Sequence, residues 1–259
     1  MPGIDVTRNE GVATLTLNQP ESMNALSGAI KEGFENEVPT LLADDNVRAL
    51  IITGTGKAFC AGGDIRTMAD PEKRAPLAVR ERIASVHSWS EALLVTEKPV
   101  ICAVNGAAVG AGFGIALLGD IVFMAEEAYF KAGFPGVGAV PDLGLGYTLP
   151  RAIGFQRAKE LLLTDRPIES AEAVRIGIAA GAFPASSLME TANHVATRLA
   201  HGPRSLGLTK TMMRRAYDGG LEHYHETEET FQALAFNTAD FEEGVQAFLE
   251  KRRPHFKGS

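Results

Sequence analysis

Two glycine-rich turns constrain the fold of this chain more than any other feature. Residues 61–64 (AGGD) and residues 109–112 (VGAG) each follow a short apolar run that is typical of a buried strand. Their side chains are small or absent, so the main chain is the group that the turns can present. If the turns lie side by side, two backbone N–H groups can point at one oxygen atom. Such a pair stabilises an enolate or another oxyanion.

Two other interpretations of these glycines are open. They could serve only to let a helix approach a strand. Residues 109–114 also look like a dinucleotide-binding turn, with Glu126 or Glu127 as the ribose-binding acid. However, their spacing is G-x-G-x-G instead of G-x-G-x-x-G, and they lie in mid-chain. Neither interpretation explains the matching turn at residues 61–64, so we favour the oxyanion hypothesis.

Apolar periodicity predicts strands that alternate with helices up to about residue 181. A hairpin is predicted for residues 4–8 and 12–17, and Ser27 is the predicted cap of the first helix. The other predicted strands are residues 47–53, 99–104 and 120–125, and the predicted helices are residues 27–43 and 72–95. This alternation is typical of a layered α/β core.

The pattern beyond Gly181 is helical. Ser187 and Glu190 resemble a capping box at the start of a helix. Helical spacing covers residues 187–199, 203–217, 221–236 and 240–252, and only residues 177–184 look like a strand. We therefore predict an α/β core over residues 1–195 and a helical segment over residues 196–259.

Composition excludes several classes of function. A net charge of −7 argues against binding to nucleic acid. Residues 1–10 have no apolar signal-peptide core, and the longest apolar stretch, residues 100–118, is interrupted by Asn105 and glycines, so we expect a cytoplasmic protein without a membrane span. Cys60 and Cys102 lie in apolar runs without metal-ligand spacing, so we expect reduced, buried thiols and no metal site. A cysteine nucleophile is the lesser alternative.

Five short motifs occur in an order that resembles the crotonase superfamily, also called the enoyl-CoA hydratase/isomerase family. They are residues 23–26 (MNAL), 58–65 (AFCAGGDI), 105–112 (NGAAVGAG), 149–151 (LPR) and 248–252 (FLEKR). The resemblance spans essentially the whole chain. It implies a spiral core of ββα units, a C-terminal helical trimerisation segment, and a homo-trimer or dimer of trimers. It also implies an acyl-CoA thioester substrate, whose coenzyme A is part of the substrate, so no separate cofactor is expected.

The resemblance also assigns site residues. The backbone N–H groups of Gly63 and Ala111 would form the oxyanion hole. Phe248 and Lys251 match positions that reach the coenzyme A of a neighbouring subunit, although Lys251 could equally be a solvated helix end. The remaining positions that match substrate contacts are Met23, Asn24, Ala25, Ala61, Asp64, Ile65, Gly110, Gly114 and Phe134.

The carboxylates distinguish the reactions of the family. Its hydratases use two glutamates to hold and deprotonate water, and here these positions are Gly114 and Phe134. The remaining acid is Asp142, which matches the aspartate of members that move double bonds. A dry pocket lined by Phe113 and Phe134 would raise its pKa towards neutrality. The alternative role of Asp142 is an N-cap for a helix that begins at residue 143.

The sequence therefore predicts an enoyl-CoA isomerase, acting on a double bond or opening a ring, with Asp142 as both base and acid. One carboxylate suffices for a 1,3-proton shift because no water has to be held. The alternatives are an enoyl-CoA hydratase, an acyl-CoA thioester hydrolase and a non-catalytic acyl-CoA binder. His87 and Trp89 lie on a helix that borders the acyl pocket in this family, and we expect both to pack rather than react.

Overall fold

A computed structural model describes residues 3–258 of the chain. Met1, Pro2 and Ser259, which the predicted domain limits include, lie outside the described residues. The ten strands within the described range are β1 (Ile4–Asn9), β2 (Val12–Leu17), β3 (Ala49–Gly54), β4 (Ala58–Cys60), β5 (Val100–Val104), β6 (Ala107–Val109), β7 (Ile121–Ala125), β8 (Tyr129–Lys131), β9 (Ile168–Glu169) and β10 (Gly181–Phe183).

Helices separate and then follow these strands. They are α1 (Gly28–Ala43), α2 (Ile65–Ala69), α3 (Pro76–Val95), α4 (Ala111–Ala116), α5 (Leu145–Ile153), α6 (Phe155–Thr164), α7 (Ser170–Ile176), α8 (Ala185–Ala200), α9 (Ser205–Arg215), α10 (Leu221–Phe236) and α11 (Ala239–Leu249). No helix within residues 3–258 is both long enough and apolar enough to cross a bilayer.

The strands form two sheets, and the chain winds between them as a spiral. The six-stranded sheet has the order β1-β2-β3-β5-β7-β10, and the four-stranded sheet has the order β4-β6-β8-β9. Each successive pair, β3 with β4, β5 with β6 and β7 with β8, therefore contributes one strand to each sheet before a helix follows. These are the ββα units that the family resemblance implied. The neighbouring strands of successive units are parallel.

Glycines allow the sharp turn from one sheet to the other. A Cβ atom on Gly54 would lie 2.6 Å from the carbonyl oxygens of Ala58 and Phe59, and one on Gly106 would collide with the main chain of Lys57. These positions therefore need glycine because backbone from the neighbouring turn occupies the space. Every residue of β5 is buried, as expected for a parallel strand that is covered on both faces.

The structure corrects several predicted boundaries. Ser27 caps α1 as predicted, with its hydroxyl oxygen 3.3 Å from the Ile30 nitrogen. The helix predicted over residues 72–95 is instead a 3₁₀ turn, Glu72–Arg74, followed by α3. Helix α8 begins at Ala185, before the predicted capping box, and the Ser187 hydroxyl donates to the Pro184 carbonyl at 3.1 Å. Pro184 is the N-cap residue of this helix, and its carbonyl accepts from the N–H groups of Ser187 and Leu188 at 2.9 and 3.2 Å.

Helix α8 also crosses the predicted domain boundary at residue 195. It is continuous from Ala185 to Ala200, and its small residues Ala192, Ala196 and Ala200 are buried. The helix packs against the six-stranded sheet. It therefore belongs with the core, and the change to the C-terminal helical segment comes after Ala200.

A partly buried ion pair fastens the C-terminal segment to the core. The Lys210 ammonium on α9 lies 2.8 Å from the Asp120 carboxylate, and it also donates to the carbonyls of Leu93 and Lys98 at 3.2 and 3.1 Å. The Asp120 carboxylate in turn accepts from the Val100 N–H at 2.8 Å. Desolvation raises the pKa of Asp120 and lowers that of Lys210, and the attraction between the two groups opposes both shifts.

We expect Lys210→Met to lower the free energy of unfolding by about 1–3 kcal/mol, because it leaves two carbonyls and a carboxylate without their donor. Urea unfolding at neutral pH measures the change. Lys159→Met is the matched control, because Lys159 is exposed. Equal stability of the two variants would contradict this role for Lys210.

Candidate active site

The two glycine turns lie in contact with each other. Strands β4 and β6 are parallel neighbours in the four-stranded sheet, so the turns leave the same edge. A Cβ atom on Gly62 would lie 2.8 Å from the Val109 carbonyl oxygen and 3.8 Å from the Ala111 nitrogen. A Cβ atom on Gly112 would collide with the Cys60 carbonyl. Glycine at these positions therefore allows the two main chains to approach each other.

The predicted oxyanion donors are free at this junction. Gly63 pairs only through a single parallel bridge to Leu26, in which the Leu26 N–H donates to the Gly62 carbonyl at 2.7 Å. Ala111 is the first residue of α4, where an N–H group has no intrahelical acceptor. Within residues 3–258, neither the Gly63 nor the Ala111 N–H donates to a protein acceptor. Both residues line one cavity, so the structure brings the two predicted donors together.

This cavity is narrow, with a volume of about 40 Å³. That is room for a few water molecules and not for an acyl chain. The Met68 thioether lies directly over Gly63, where it would collide with a Cβ atom. Met68 is thus one of the side chains that narrow the cavity beside Gly63, and an unbranched thioether can adopt other conformations readily. The lining residues are Leu26, Lys31, Gly63, Asp64, Thr67, Met68, Arg82, Ile83, Val86, His87, Ala111, Asp142 and Leu143.

Asp142 faces the same cavity as the two donors. Its side chain is half-buried, and its Oδ1 atom is fully buried without a hydrogen-bond partner within the described residues. Desolvation raises the pKa of Asp142 above its ordinary value, and its own backbone N–H and the charges of Lys31, Arg82 and His87 oppose the shift only in part. A carboxylate with an unpartnered buried oxygen and a raised pKa is suited to accept a proton.

The alternative role of Asp142 as a helix cap is wrong. Helix α5 begins at Leu145, and Gly144 is its N-cap residue without a side-chain bond. Leu143 and Gly144 both have positive φ, 48° and 70°, so the chain turns sharply between Asp142 and the helix. Only the main-chain carbonyl of Asp142 is used there, as the acceptor of the Leu145 N–H at 3.0 Å. The carboxylate is thus left for the cavity.

The position of the first hydratase glutamate is filled by this loop. Gly114 is buried, and a Cβ atom there would lie 2.7 Å from the Leu143 Cβ and 3.5 Å from the Asp142 carbonyl oxygen. Gly114 lies behind Leu143 and is not among the residues that line the cavity, so its contact with substrate stays a prediction. Its role is to leave space for the loop that carries Asp142.

The predicted aromatic lining is also wrong. Phe113 and Phe134 are buried at 0% and 7% exposure but do not line the cavity, and Phe113 stacks on Phe130 with ring centroids 4.5 Å apart. The phenyl ring of Phe134 lies 3.9 Å from the place of a Cβ on Gly110. Gly110 is a turn residue with φ of 56°, and its N–H donates to the Lys131 carbonyl at 3.0 Å.

The loop predicted to bind coenzyme A is held from inside by Asn24. The Asn24 side chain is fully buried, accepts from the Gln19 N–H at 2.9 Å and donates to the carbonyls of Thr55 and Ala58 at 2.9 and 2.8 Å. Its side chain therefore holds the shape of the loop from inside, and a contact of Asn24 with substrate stays a prediction. Met23 is exposed, and its carbonyl accepts from the Ala61 N–H at 3.0 Å.

The other predicted contacts are distributed around and beyond the cavity. Asp64 lines it and caps α2 through the Arg66 N–H at 3.0 Å. Ile65 is 60% exposed beside it, and Ala25 lies half-buried in the loop before Leu26. Phe248 and Lys251 lie at the end of α11, outside this cavity, and Phe248 is 82% exposed.

Sequence reasoning missed the polar part of the cavity lining. Lys31 on α1 and Arg82 on α3 were not predicted, since a cation on a helix most often faces solvent. His87 lines the cavity, whereas Trp89 packs in the core as predicted, stacked on Phe34 at 4.2 Å. The two cations lie on different helices, so their convergence on one cavity becomes visible only when the packing of α1 against α3 is known.

The cysteines are not nucleophiles. Cys60 and Cys102 are fully buried, and desolvation raises the pKa of each thiol to about 12. A thiolate is therefore absent at neutral pH. No cluster of three His, Cys, Asp or Glu side chains within residues 3–258 is arranged to hold a metal ion.

Comparison with known proteins places this geometry in a family. The family model described as "Enoyl-CoA hydratase/isomerase" matches residues 7–259. The chain is 38% identical over 251 residues to a 1,2-epoxyphenylacetyl-CoA isomerase of Escherichia coli, covering 96% of each chain. It is 34% identical over 260 residues to a 2,3-dehydroadipyl-CoA hydratase of the same organism, covering 100% of each chain.

The fold is matched by solved structures as well. A crystal structure of an enoyl-CoA hydratase from Bacillus anthracis superimposes with a TM-score of 0.93 at 32% sequence identity, covering 99% of this chain and 100% of the other. The two contacting turns, the cavity at their junction and these matches along the whole chain lead to one conclusion. The chain belongs to the enoyl-CoA hydratase/isomerase family, the crotonase superfamily.

Proposed function

We propose that this protein is an enoyl-CoA isomerase in which Asp142 moves a proton between two carbons of the acyl group. The observation that carries the proposal is the pairing of one acid with two free amides. Asp142 shares a cavity with the N–H groups of Gly63 and Ala111, and its buried Oδ1 has no partner within the described residues. The position of each hydratase glutamate holds a residue that cannot carry a proton.

The chemistry follows from this arrangement. When the thioester oxygen accepts hydrogen bonds from both amides, removal of a proton from the α-carbon places negative charge on that oxygen, where the donors stabilise it. Asp142 takes this proton and becomes a neutral acid. It then returns the proton to the γ-carbon as the double bond moves by one position, so the enzyme ends in its starting state. The same acid and oxyanion hole could serve a ring opening.

The surroundings of Gly114 argue against efficient hydration. Leu143 fills the space where a glutamate at position 114 would begin, and Phe134 is buried. Neither position 114 nor position 134, where the hydratases have glutamates, therefore carries a carboxylate that could hold water. The relatives include proteins named as isomerases and as hydratases, so the reaction has to be measured. Hydration and thioester hydrolysis are outcomes of the same assay.

We further propose that the protein is a homo-trimer or a dimer of trimers. The proposal is supported by the apolar surface of the C-terminal helices, where Phe236, Phe248 and Leu249 are 53%, 82% and 69% exposed. In such an assembly Phe248 and Lys251 would reach the coenzyme A of a neighbouring subunit. Coenzyme A would enter only as part of the substrate. The cytoplasmic location stays a prediction.

Asp142→Asn should lower isomerisation of 3-enoyl-CoA to 2-enoyl-CoA by a factor of roughly 10²–10⁴, because the proposed proton carrier is lost. The rate of the native protein should rise as pH increases through the raised pKa of Asp142, since the base must be ionised. Product analysis by chromatography measures the reaction.

Asp218→Asn is the control for this test, because Asp218 is exposed and outside the cavity. Undiminished isomerisation by Asp142→Asn would remove Asp142 from the mechanism. Rapid formation of 3-hydroxyacyl-CoA or of free coenzyme A by the native protein would instead identify a hydratase or a hydrolase.

Asp142→Asn should increase the free energy of unfolding at neutral pH by roughly 0.5–2 kcal/mol. Because the folded-state pKa of Asp142 is raised, the folded carboxyl group holds its proton more tightly than the unfolded one. The native protein therefore loses stability as pH rises from the ordinary aspartate range through the folded pKa, and the asparagine variant does not. The difference in unfolding free energy between the two proteins should vanish at acidic pH, and its persistence there would contradict desolvation as the cause.

Gly114→Ala tests the packing that excludes a glutamate. We expect a loss of about 1–3 kcal/mol in unfolding free energy, because the added methyl group would overlap Leu143. Gly146→Ala is the matched control, since a Cβ atom there meets nothing within 4 Å and should be neutral or stabilising. Urea unfolding measures the free energy of unfolding of both variants. An unchanged free energy of unfolding for Gly114→Ala would refute the steric argument.

A further inference from the structure

Two cations of the cavity have no function in the proposed proton shift. Lys31 projects from α1 and Arg82 from α3, and both are half-buried side chains that line the cavity with Asp142. His87, one turn beyond Arg82 on α3, lines it too. The thioester oxygen already has two amide donors, so these side chains are not needed for the oxyanion.

Neither cation has an anionic partner within the described residues. No carboxylate lies within 4.0 Å of the charged nitrogens of Lys31 or Arg82 in residues 3–258. Among the described residues, the one acceptor of the Arg82 guanidinium is the Lys73 carbonyl, at 3.1 Å. Desolvation lowers the pKa of Lys31, and the charge of Arg82 lowers it further. Lys31 and Arg82 are therefore two mutually repelling positive charges in a partly desolvated cavity.

The acids nearby do not neutralise this pair. Asp64 is already bonded to the Arg66 N–H and the Thr67 hydroxyl, both at 3.0 Å. Glu35 acts on Lys31 only at longer range and is exposed. Asp142 is the proposed base, and positive charges beside it lower its pKa and so weaken it. An anion brought by the substrate would satisfy the cations and relieve this effect.

From this arrangement we infer that the acyl group carries a carboxylate at the end remote from the thioester, held by Lys31 and Arg82. The substrate class is then the monothioester of coenzyme A with an unsaturated dicarboxylic acid. Arginine suits the role because its planar guanidinium donates two parallel hydrogen bonds to a carboxylate. The inference rests on the acyl-CoA part of the proposed function and not on the reaction catalysed.

Binding of saturated thioesters tests the inference without turnover. Calorimetry would compare succinyl-, glutaryl- and adipyl-CoA with butyryl-, pentanoyl- and hexanoyl-CoA, so that each pair differs only in the terminal carboxylate. We expect at least one charged ester to bind roughly tenfold or more tightly than its neutral partner. Lys31→Met and Arg82→Met should each remove most of this preference and change the Kd of the neutral ester less than about twofold.

Arg80→Met is the matched control, because Arg80 is an exposed cation on the same helix and outside the cavity lining. It should leave the preference unchanged. The same esters of pantetheine, which lacks the nucleotide phosphates, separate the two possible anions. If Lys31 and Arg82 served the phosphates of coenzyme A, their variants would weaken charged and neutral CoA esters alike and would not affect the pantetheine esters.

That result, or equal binding of charged and neutral esters by the native protein, would overturn the inference. Circular dichroism of each variant confirms that it is folded. Failure of isomerisation would not affect this test, because saturated esters cannot isomerise. Conversely, absence of the carboxylate preference would leave the role of Asp142 intact.

Discussion

The close approach of two main chains at the glycine turns is the contact on which the site depends. Helix α4 begins where the turn after β6 meets the turn after β4, and Gly112 lies so close to the Cys60 carbonyl that no side chain fits. Because β4 and β6 are adjacent parallel strands, both turns emerge at one edge of the sheet. Within residues 3–258 the amides of Gly63 and Ala111 have no protein acceptor there. The proposed oxyanion hole requires such an arrangement, in which the donors are in place before charge develops.

The loop that carries Asp142 is built at the cost of local backbone strain. Leu143 adopts a positive φ of 48°, which is unfavourable for a residue with a bulky side chain, and it is buried beneath the cavity. Gly114 on α4 makes room for it. The position that would carry a catalytic glutamate in a hydratase thus supports the loop that presents the aspartate. Glycine at position 114 and the placement of Asp142 therefore depend on the same packing.

The charges around the cavity are poorly balanced in the free protein. Asp142 is desolvated and has an unpartnered oxygen, and Lys31 and Arg82 are half-buried without ion pairs within the described residues. Unsatisfied groups of this kind destabilise a folded chain. Their convergence on one cavity indicates a binding site, because a ligand with complementary groups can satisfy them. The cavity itself is small, and the Met68 side chain lies beside Gly63 in its lining.

The sequence alone determined the α/β class and the two glycine turns, because these depend on local periodicity. Its short motifs, read in order, indicated the family, and the ββα winding followed only from that resemblance. The position of Asp142 in the chain was enough to identify it as a candidate. The sequence did not show that its carboxylate does not cap α5. Only the tertiary structure decided that the Leu143–Gly144 turn separates it from α5, that Phe113 and Phe134 lie outside the cavity, and that α8 belongs to the core. Lys31 and Arg82 are far apart in sequence and lie on different helices. Their meeting depends on how α1 packs against α3, and such long-range contacts leave no signal in either segment.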